Sequence, residues 1–340
     1  MSGGTDSSVS AMMLLEQGYE VTGITFHFHN LPSAEKAIAD ARNLCNTLKM
    51  EHLILDARQE FSEQVLSYFR DEYLAGKTPF PCAVCNRDLK WNLIFREADR
   101  LNCKKVAMGH YARIIQQDGQ FFIGEGVDPD KDQSFFLWGI NREFLPRIIL
   151  PLGDYYKKDV RKMAGEAGFP SIEKKKDSLG ACFCEGDYRP LLQSLTPDPD
   201  KYFKPGNFID EAGKILGKHD GYPLFTVGQR RGLGIHLNKA VFVKTILPES
   251  NEVVLAPFNS MFRNHFFVKD YIIADEKLFG NAFDTDIRIR YRKQNNRGKI
   301  SFEANNLIRV DLETPLESVA PGQTAVFYRE GLVLGGGFIV

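Results

Sequence analysis

The chain has no apolar stretch approaching the roughly 18 residues needed to cross a bilayer. Its opening residues, Ser2 to Ser8, are polar and do not form the basic-then-apolar run of a secretory signal. The expectation is a cytoplasmic protein without membrane contact. An excess of one charge is also missing, since 43 Lys+Arg against 44 Asp+Glu leave a formal net charge of -1. That excludes a protein coated in positive charge, but not one that meets nucleic acid through a local basic patch. Cysteine is sparse, with six in 340 residues. This is no disulfide scaffold, so in a reducing compartment each thiol is either core or chemistry. Internal repeats and low-complexity tracts are absent. What remains, 43% hydrophobic and 26% charged, is an ordinary globular composition, long enough for two or three domains with their own cores.

The first part of the chain alternates short apolar runs with longer amphipathic segments. Val9 to Gln17 reads as a helix ended by Gly18, Glu20 to Phe28 as a strand, Ala34 to Lys49 as a helix and His52 to Asp56 as a strand. Phe61 to Ala75 and Leu89 to Leu101 read as helices, and Lys105 to Met108 as a short buried strand. Strands alternating with helices predict an α/β domain, a doubly wound parallel sheet, over residues 1–144. A small linking domain follows over 145–205, with helices at Lys157 to Ala167 and Tyr188 to Leu195 and a basic run, Lys174 to Lys176, that is either a solvated face or an RNA contact. From 206 to 340 short alternating segments are punctuated by Gly, Pro and Asn, as in small β-barrels. Strands are expected there at Val241 to Ile246, Glu252 to Leu255, Asp286 to Arg292 and Thr324 to Tyr328. Within Asp286 to Arg292, Arg288, Arg290 and Arg292 fall at period two and would share one exposed face suited to RNA phosphates.

Two places carry chemistry. Ser2-Gly3-Gly4-Thr5-Asp6-Ser7-Ser8 runs straight into a helix. Its glycines let the backbone approach an anion, and its amides and hydroxyls can cradle a phosphate at the helix N-terminus. The loop has no GK[ST] lysine. In a doubly wound sheet such a loop follows a buried strand, so the expectation is a short apolar strand upstream of Met1. The second place is cysteine: Cys45 and Cys103 stand singly and read as core, whereas Cys82 with Cys85 and Cys182 with Cys184 form two close pairs.

The string SGGxDSS resembles the PP-loop of ATP pyrophosphatases, which adenylate a substrate oxygen and release pyrophosphate. Further segments narrow the resemblance to bacterial tRNA 2-thiouridylases: Thr78-Pro79-Phe80-Pro81-Cys82-Ala83-Val84-Cys85-Asn86, Met108-Gly109-His110-Tyr111-Ala112-Arg113, Lys131-Asp132-Gln133-Ser134, Lys174 to Phe183 around Cys182, and Thr226-Val227-Gly228-Gln229-Arg230-Arg231-Gly232-Leu233-Gly234. They stand in family order over nearly the whole chain. Two departures are visible. Phe80 and Cys82 replace an Asn and an Asp of the family loop, and Cys184 is an added thiol.

The resemblance implies ATP-dependent 2-thiolation of a tRNA uridine, the anticodon wobble base, through an O-adenylate and a cysteine persulfide. It assigns ATP, with Mg2+, to Ser2, Gly3, Gly4, Thr5, Asp6, Ser7, Ser8, Phe26 and Gly109. It assigns tRNA to Phe80, Pro81, Cys82, His110, Lys131, Asp132, Gln133, Arg290, Tyr291 and Gln323. Cys85 would be the nucleophile and Cys182 the persulfide carrier, supplied by a sulfur-donor protein, and a Cys85–Cys182 disulfide would need reduction after each turnover. As a thiol, Cys82 is a poorer general base than the Asp it replaces. Two readings of the paired cysteines stand. Cys82 or Cys184 resolves that disulfide by exchange, or all four thiolates hold zinc or an iron–sulfur cluster. Two other functions compete with thiolation: another PP-loop adenylating synthetase, which would need neither Cys85 nor Cys182, and a drifted RNA-binding or sulfur- or metal-carrying module.

Overall fold

The computed structural model describes residues 1–169, 180–184, 186–280, 283–292 and 296–340. The lysine run Lys174 to Lys176 lies outside the described residues. The loop at Gly3-Gly4 leads into α1 (Thr5–Glu16). The apolar alternation of Thr22–His27 makes β1, and Pro32, whose fixed φ suits a first helical turn, opens the crossover helix α2 (Pro32–Thr47). It returns the chain to β2 (Glu51–Asp56), which lies parallel to β1 from Thr22↔Glu51 to His27↔Asp56. A second parallel pair joins β3 (Val106–Ala107) to β6 (Ile148–Ile149). The sheet expected from the sequence is therefore present in two pieces, and among the described residues no strand links them.

Between β2 and β3 the helices are interrupted by two π-turns. One, Ser62–Leu66, separates α3 (Arg58–Phe61) from α4 (Ser67–Leu74). The other, Cys85–Lys90, separates the short α5 (Pro81–Val84) from α6 (Trp91–Arg100). Such turns widen a helix locally and recur at functional sites.

The hairpin of β4 (Ala112–Gln117) and β5 (Gln120–Glu125) is unanticipated. Asp118 and Gly119, both at positive φ, make its two-residue turn. It leaves the N-terminal part and extends the C-terminal sheet, where Gly124 meets Leu332. The C-terminal strands β11 (Phe262–Ile273), β12 (Thr285–Arg288), β13 (Asn296–Glu303), β14 (Leu307–Glu317), β15 (Thr324–Arg329) and β16 (Leu332–Ile339) close into a barrel, because β11 pairs with both β14 and β16. A smaller sheet of β7 (Gly206–Ile209), β8 (Ile215–His219), β9 (Phe242–Leu247) and β10 (Glu252–Ala256) lies between. It is fastened to the N-terminal part by Tyr222, whose hydroxyl donates to the Leu74 carbonyl at 2.7 Å.

One core crosses from the first part to the last. Trp91, Phe95, Phe135, Leu137 and Trp138 pack with Val326, Tyr328, Val333 and Phe338 of the barrel. The glycines of β16 permit this approach, since a Cβ at Gly336 would sit 2.8 Å from the Trp138 ring. Burying large side chains of this kind contributes about 1.5–3 kcal/mol each, so the barrel is held firmly against the nucleotide-loop domain.

The arginine face expected at 286–292 is not formed. β12 ends at Arg288, which is 2% exposed. Its guanidinium lies over the Tyr328 ring at 3.9 Å and pairs with Asp132 at 3.0 Å and with Glu125. Only Arg290 and Arg292 of the three are exposed. The same ion pairs correct the reading of Asp132 as a tRNA contact. Asp132 is buried, and its carboxylate also accepts from the amides of Gly126 and Ser134 and from the Ser134 hydroxyl. Its work is to tie the 131–134 loop to the barrel.

Candidate active site

The nucleotide loop is shaped by close approaches that only glycine permits. Gly3 has φ +61°, and a Cβ there would sit 2.9 Å from the Ala41 amide nitrogen. At Gly109, just beyond β3, a Cβ would lie 2.9 Å from the Asp6 carbonyl carbon. Gly109 thus packs directly against the first turn of α1. Ser7 and Ser8 donate their hydroxyls to the Gly4 carbonyl at 3.2 and 2.8 Å, and the Ser2 and Ser7 hydroxyls meet at 3.0 Å. Gly4, the N-cap, supplies no side-chain acceptor to the first turn of α1, which suits that turn to an external anion. One oxygen of Asp6 accepts from the Tyr111 hydroxyl at 2.8 Å and from the Lys157 ammonium at 2.6 Å. Phe26 on β1 stacks on Phe28 at 5.2 Å.

The cysteine loop is held from behind by the barrel. Gln323 donates its amide to the carbonyls of Thr78 and Pro79, both at 3.1 Å, and the Thr78 amide donates to the Pro321 carbonyl. Phe80 stacks on Phe136 at 5.5 Å, and Phe136 packs against Tyr291 at 4.8 Å. The residue that replaces the family's Asn is therefore absorbed into an aromatic stack reaching the barrel. Pro81 opens α5, which carries Cys82, and Cys85 opens the π-turn that follows.

The second cysteine segment is anchored by its central phenylalanine. Phe183 is buried edge-on against Phe61 at 5.6 Å and Phe69 at 5.4 Å. Cys182, on one side of it, opens to solvent, while Cys184, on the other, directs its sulfur to the Gly186 carbonyl beside Tyr73. All six cysteines are unpaired. The four-thiolate centre is not assembled: among the described residues no three His, Cys, Asp or Glu side chains are arranged to hold a metal ion. One buried phenylalanine between the sulfurs of a C-x-C sends them to different surroundings.

Three thiols do share one field. Burial pushes Cys85 up to about 11, with Lys90 opposing. Cys82 is raised by burial and is likewise opposed by Lys90. Cys182 reaches solvent, yet burial by its surroundings, followed by the Cys85 and Cys82 sulfurs, pushes it up to about 12. Lys90 is the residue that sequence reasoning missed. It stands five positions after Cys85, which in a regular helix would put it about 140° round the axis. The π-turn over Cys85–Lys90 brings it back toward the thiols.

The Lys90 ammonium also lies 3.3 Å from Nε2 of His110, whose Nδ1 is 3.0 Å from the Gln133 Oε1. That oxygen also accepts from the Tyr111 backbone N–H at 3.1 Å, which fixes the amide orientation. His110 Nδ1 therefore carries the proton and Nε2 accepts from Lys90. Burial, reinforced by Lys90, holds His110 down at about 3, so its imidazole is neutral at physiological pH. Lys131 is half-buried, and Arg290 is exposed with its guanidinium on Glu317 at 3.4 Å.

This field has a measurable consequence. Below its raised value the Cys85 thiol stays protonated, so its alkylation by iodoacetamide should climb about tenfold per pH unit from pH 7 to about pH 10. Lys90→Met should slow it about threefold to tenfold throughout that range. Peptide mass spectrometry reads each thiol separately, and a pH-independent rate at Cys85 would contradict the burial argument.

Residues 1–186 match the family described as tRNA methyl transferase HUP domain, residues 200–257 the tRNA methyl transferase PRC-barrel domain, and residues 263–339 the aminomethyltransferase beta-barrel domain. The chain is 47% identical over 347 residues to "tRNA-specific 2-thiouridylase MnmA 1" of Bacteroides fragilis, covering 100% of this chain and 95% of the relative. It is 47% identical over 340 residues to "tRNA-specific 2-thiouridylase MnmA 2" of Phocaeicola vulgatus, with 100% and 96% covered. It is 41% identical over 352 residues to the "tRNA-specific 2-thiouridylase MnmA" of Cytophaga hutchinsonii, with 100% and 95% covered. With matches along its whole length, and with a glycine loop and two cysteine segments held together by one fold, the chain belongs to the tRNA-specific 2-thiouridylase family.

Proposed function

We propose that this chain is an ATP-dependent tRNA uridine 2-sulfurtransferase acting on the wobble uridine. The observation that carries the reading is that Cys85 and the Phe183 segment next to Cys182 pack on one apolar cluster in a chain whose first helix opens on a glycine loop. The loop from Ser2 to Ser8 holds the phosphates of ATP. Asp6 would offer a carboxylate oxygen to Mg2+, which would supply neutralisation of phosphate charge. The uridine 2-oxygen attacks the α-phosphorus, the bond to the bridging oxygen breaks, and pyrophosphate leaves with the electron pair. The oxygen is then part of an AMP leaving group.

Cys182 carries the persulfide, taken from a sulfur-donor protein. Its terminal sulfur adds to C2 of the activated base. The Cys85 thiolate attacks the inner sulfur of Cys182, the sulfur–sulfur bond breaks toward the terminal sulfur, and AMP is expelled as the thiocarbonyl forms. The product is 2-thiouridine, AMP and a Cys85–Cys182 disulfide, which takes two electrons from a thiol reductant before the next turnover. Cys82, in the same field, serves as the resolving thiol for that reduction. Neutral His110, oriented by Gln133, holds the Lys90 ammonium against the reacting thiols, where it favours their ionised form. Exposed Arg290 and the Phe80–Phe136–Tyr291 stack face the RNA.

The test is the purified full chain with ATP, Mg2+, a persulfide donor and tRNA from a thiolation-deficient strain. AMP should form only when tRNA is present, and nucleoside mass spectrometry should find uridine with one oxygen exchanged for sulfur. AMP release independent of tRNA, with no sulfur incorporated, would overturn the reading.

A further inference from the structure

The turn between the small sheet and the barrel carries aromatic surface on its outside. Phe258 opens the 3-10 turn Phe258–Met261, and Phe262 opens β11 directly after it. The two are 46% and 41% exposed. Met261, the last residue of the turn, is buried, and its carbonyl accepts from the Ser318 amide at 3.1 Å, which fixes the turn to the barrel. The Phe258 and Phe262 rings meet edge to face at 5.2 Å, and Phe258 also packs on the half-buried Phe242 of β9 at 5.4 Å. A single exposed apolar side chain is ordinary, but three aromatic rings in contact at the surface mark an interaction site.

The row of rings has a guanidinium at each end. Arg230 lies 5.9 Å from the centre of the Phe242 ring. Phe262 stands opposite Glu317 across the β11–β14 pair, and Glu317 is the carboxylate on which Arg290 rests. Arg230, Arg290 and Arg263, the neighbour of Phe262, are all exposed. Two carboxylates beside the row are already paired: Glu317 with Arg290, and Glu211, which the Ser260 hydroxyl reaches at 3.0 Å, with Lys244. Next to Arg290, Tyr291 enters the Phe80–Phe136–Tyr291 stack beside the cysteine loop. Rings and arginines therefore run on from that loop across the barrel to the small sheet. The crossing is tight, since a Cβ at Gly228, two residues before Arg230, would sit 3.0 Å from the Ser318 side chain.

We propose that Phe258 and Phe262 form a stacking platform for an unpaired base of the tRNA, other than the base under modification, with Arg230 and Arg263 taking the flanking phosphates. This rests on the tRNA reading of the site and adds a second hold, made by two phenylalanines that lie outside every family motif. Flat apolar faces set between guanidinium groups match single-stranded nucleic acid, whose bases stack on rings while its phosphates meet cations. A duplex hides its base faces within its own stack, so the platform selects a nucleotide from a loop or junction. The rings hold one another in place, so little side-chain freedom is lost when a base arrives. Gripping the tRNA away from the cysteine loop fixes the register in which the target base enters it.

The experiment is equilibrium binding of unmodified tRNA, over a range of salt concentrations, to the wild-type full chain and to Phe258→Ala, Phe258→Leu, Phe258→Trp and Arg230→Ala. Loss of one base stack should weaken tRNA about fivefold to a hundredfold in Phe258→Ala, with the salt slope unchanged. Phe258→Leu, apolar but not flat, should be as weak as Phe258→Ala, and Phe258→Trp should bind at least as tightly as wild type. Arg230→Ala should lower the salt slope by about 0.7 to 0.9. ATP affinity should be the same in all five proteins. Full affinity in Phe258→Leu would make the row a plain apolar cover and overturn the stacking. Unchanged tRNA affinity in Phe258→Ala would overturn the platform altogether. In that case slower sulfur uptake from the donor protein would give the row to a protein partner, and a smaller mass in solution would give it to a second copy of the chain. Should Phe258→Ala fail to fold, Phe258→Trp decides. Trp91 and Trp138 are buried, so the new indole is the one at the surface, and tRNA should quench it where a fully paired RNA duplex does not. Absence of that quenching counts against the proposal. A wild-type chain that binds no tRNA would remove the tRNA reading itself, a result distinct from a failure confined to the variants.

Discussion

Cys182→Ser and Cys85→Ser should each reduce 2-thiouridine formation by at least about a thousandfold, while ATP binds with unchanged affinity. Removing a covalent nucleophile typically costs a rate factor of this size or greater. The two variants should fail at different stages. Cys182→Ser should accept no sulfur from a persulfide donor. Cys85→Ser should still accept it on Cys182 but leave it there, because the thiolate that breaks the sulfur–sulfur bond is gone. Mass spectrometry of the intact protein after incubation with donor separates the two. A persulfide accumulating on Cys85 in Cys182→Ser, with thiolation intact, would reverse the roles. The substitution should be structurally mild at Cys182, which is exposed, and at Cys85, which is only half-buried. The glycine loop, with its own hydrogen bonds through Ser7 and Ser8, gives no reason for ATP binding to suffer. A thiol raised to about 12 at Cys182 also means that the reduced residue is nearly all protonated near neutrality. A persulfide, being more acidic, is the form of this residue that ionises there.

How much of this could be read from the chain alone depended on the range of each interaction. Local patterns were legible. The alternating α/β order of the first part and the β-rich end are present, with β1 at Thr22–His27 where Glu20 to Phe28 was expected. The glycine loop carried a local signal, two glycines running straight into a helix, whereas Gly109 was named only through a family motif. The β4–β5 hairpin carried a visible signal, Asp118-Gly119 between apolar runs, but its role in extending a distant barrel did not. Lys90 escaped because its register depends on a π-turn, which no residue spacing announces. Lys157 meets Asp6 across 151 positions. The three arginines at period two were expected to share one exposed face, but the strand ends at Arg288, which alone is buried, and Arg290 and Arg292 beyond it are exposed. Period-two spacing says neither where a strand ends nor which of its faces a closed barrel turns inward.

The inward arginine leads to the second large effect. Arg288→Met should destabilise the protein by about 3–5 kcal/mol, the usual consequence of removing one partner from a buried ion pair and leaving the other charged. Two carboxylates are stranded at once, Asp132 and Glu125, both on the segment that carries the hairpin and the 131–134 loop. Met fills most of the volume and keeps a contact with the Tyr328 ring, so the loss is mainly electrostatic. Arg288→Lys should recover only part of it, since an ammonium cannot pair with both carboxylates in the fork geometry of a guanidinium. Asp132→Asn added to Arg288→Met should cost much less than the sum of the single changes, because the two residues act as one unit 156 positions apart. The effect should reach the site as well. Asp132 holds the amides of Gly126 and Ser134, and between them Gln133 orients His110. Thiolation by Arg288→Met should therefore fall even at temperatures where urea unfolding shows the protein still folded, whereas Arg290→Ala should leave stability within about 0.5 kcal/mol and weaken only tRNA binding. If Arg288→Met unfolds at the wild-type urea concentration, the ionic node contributes nothing. The barrel would then be joined to the nucleotide-loop domain by the shared apolar core, the β5–β16 pairing and the hydrogen bonds of Gln323 and Pro321 to the cysteine loop.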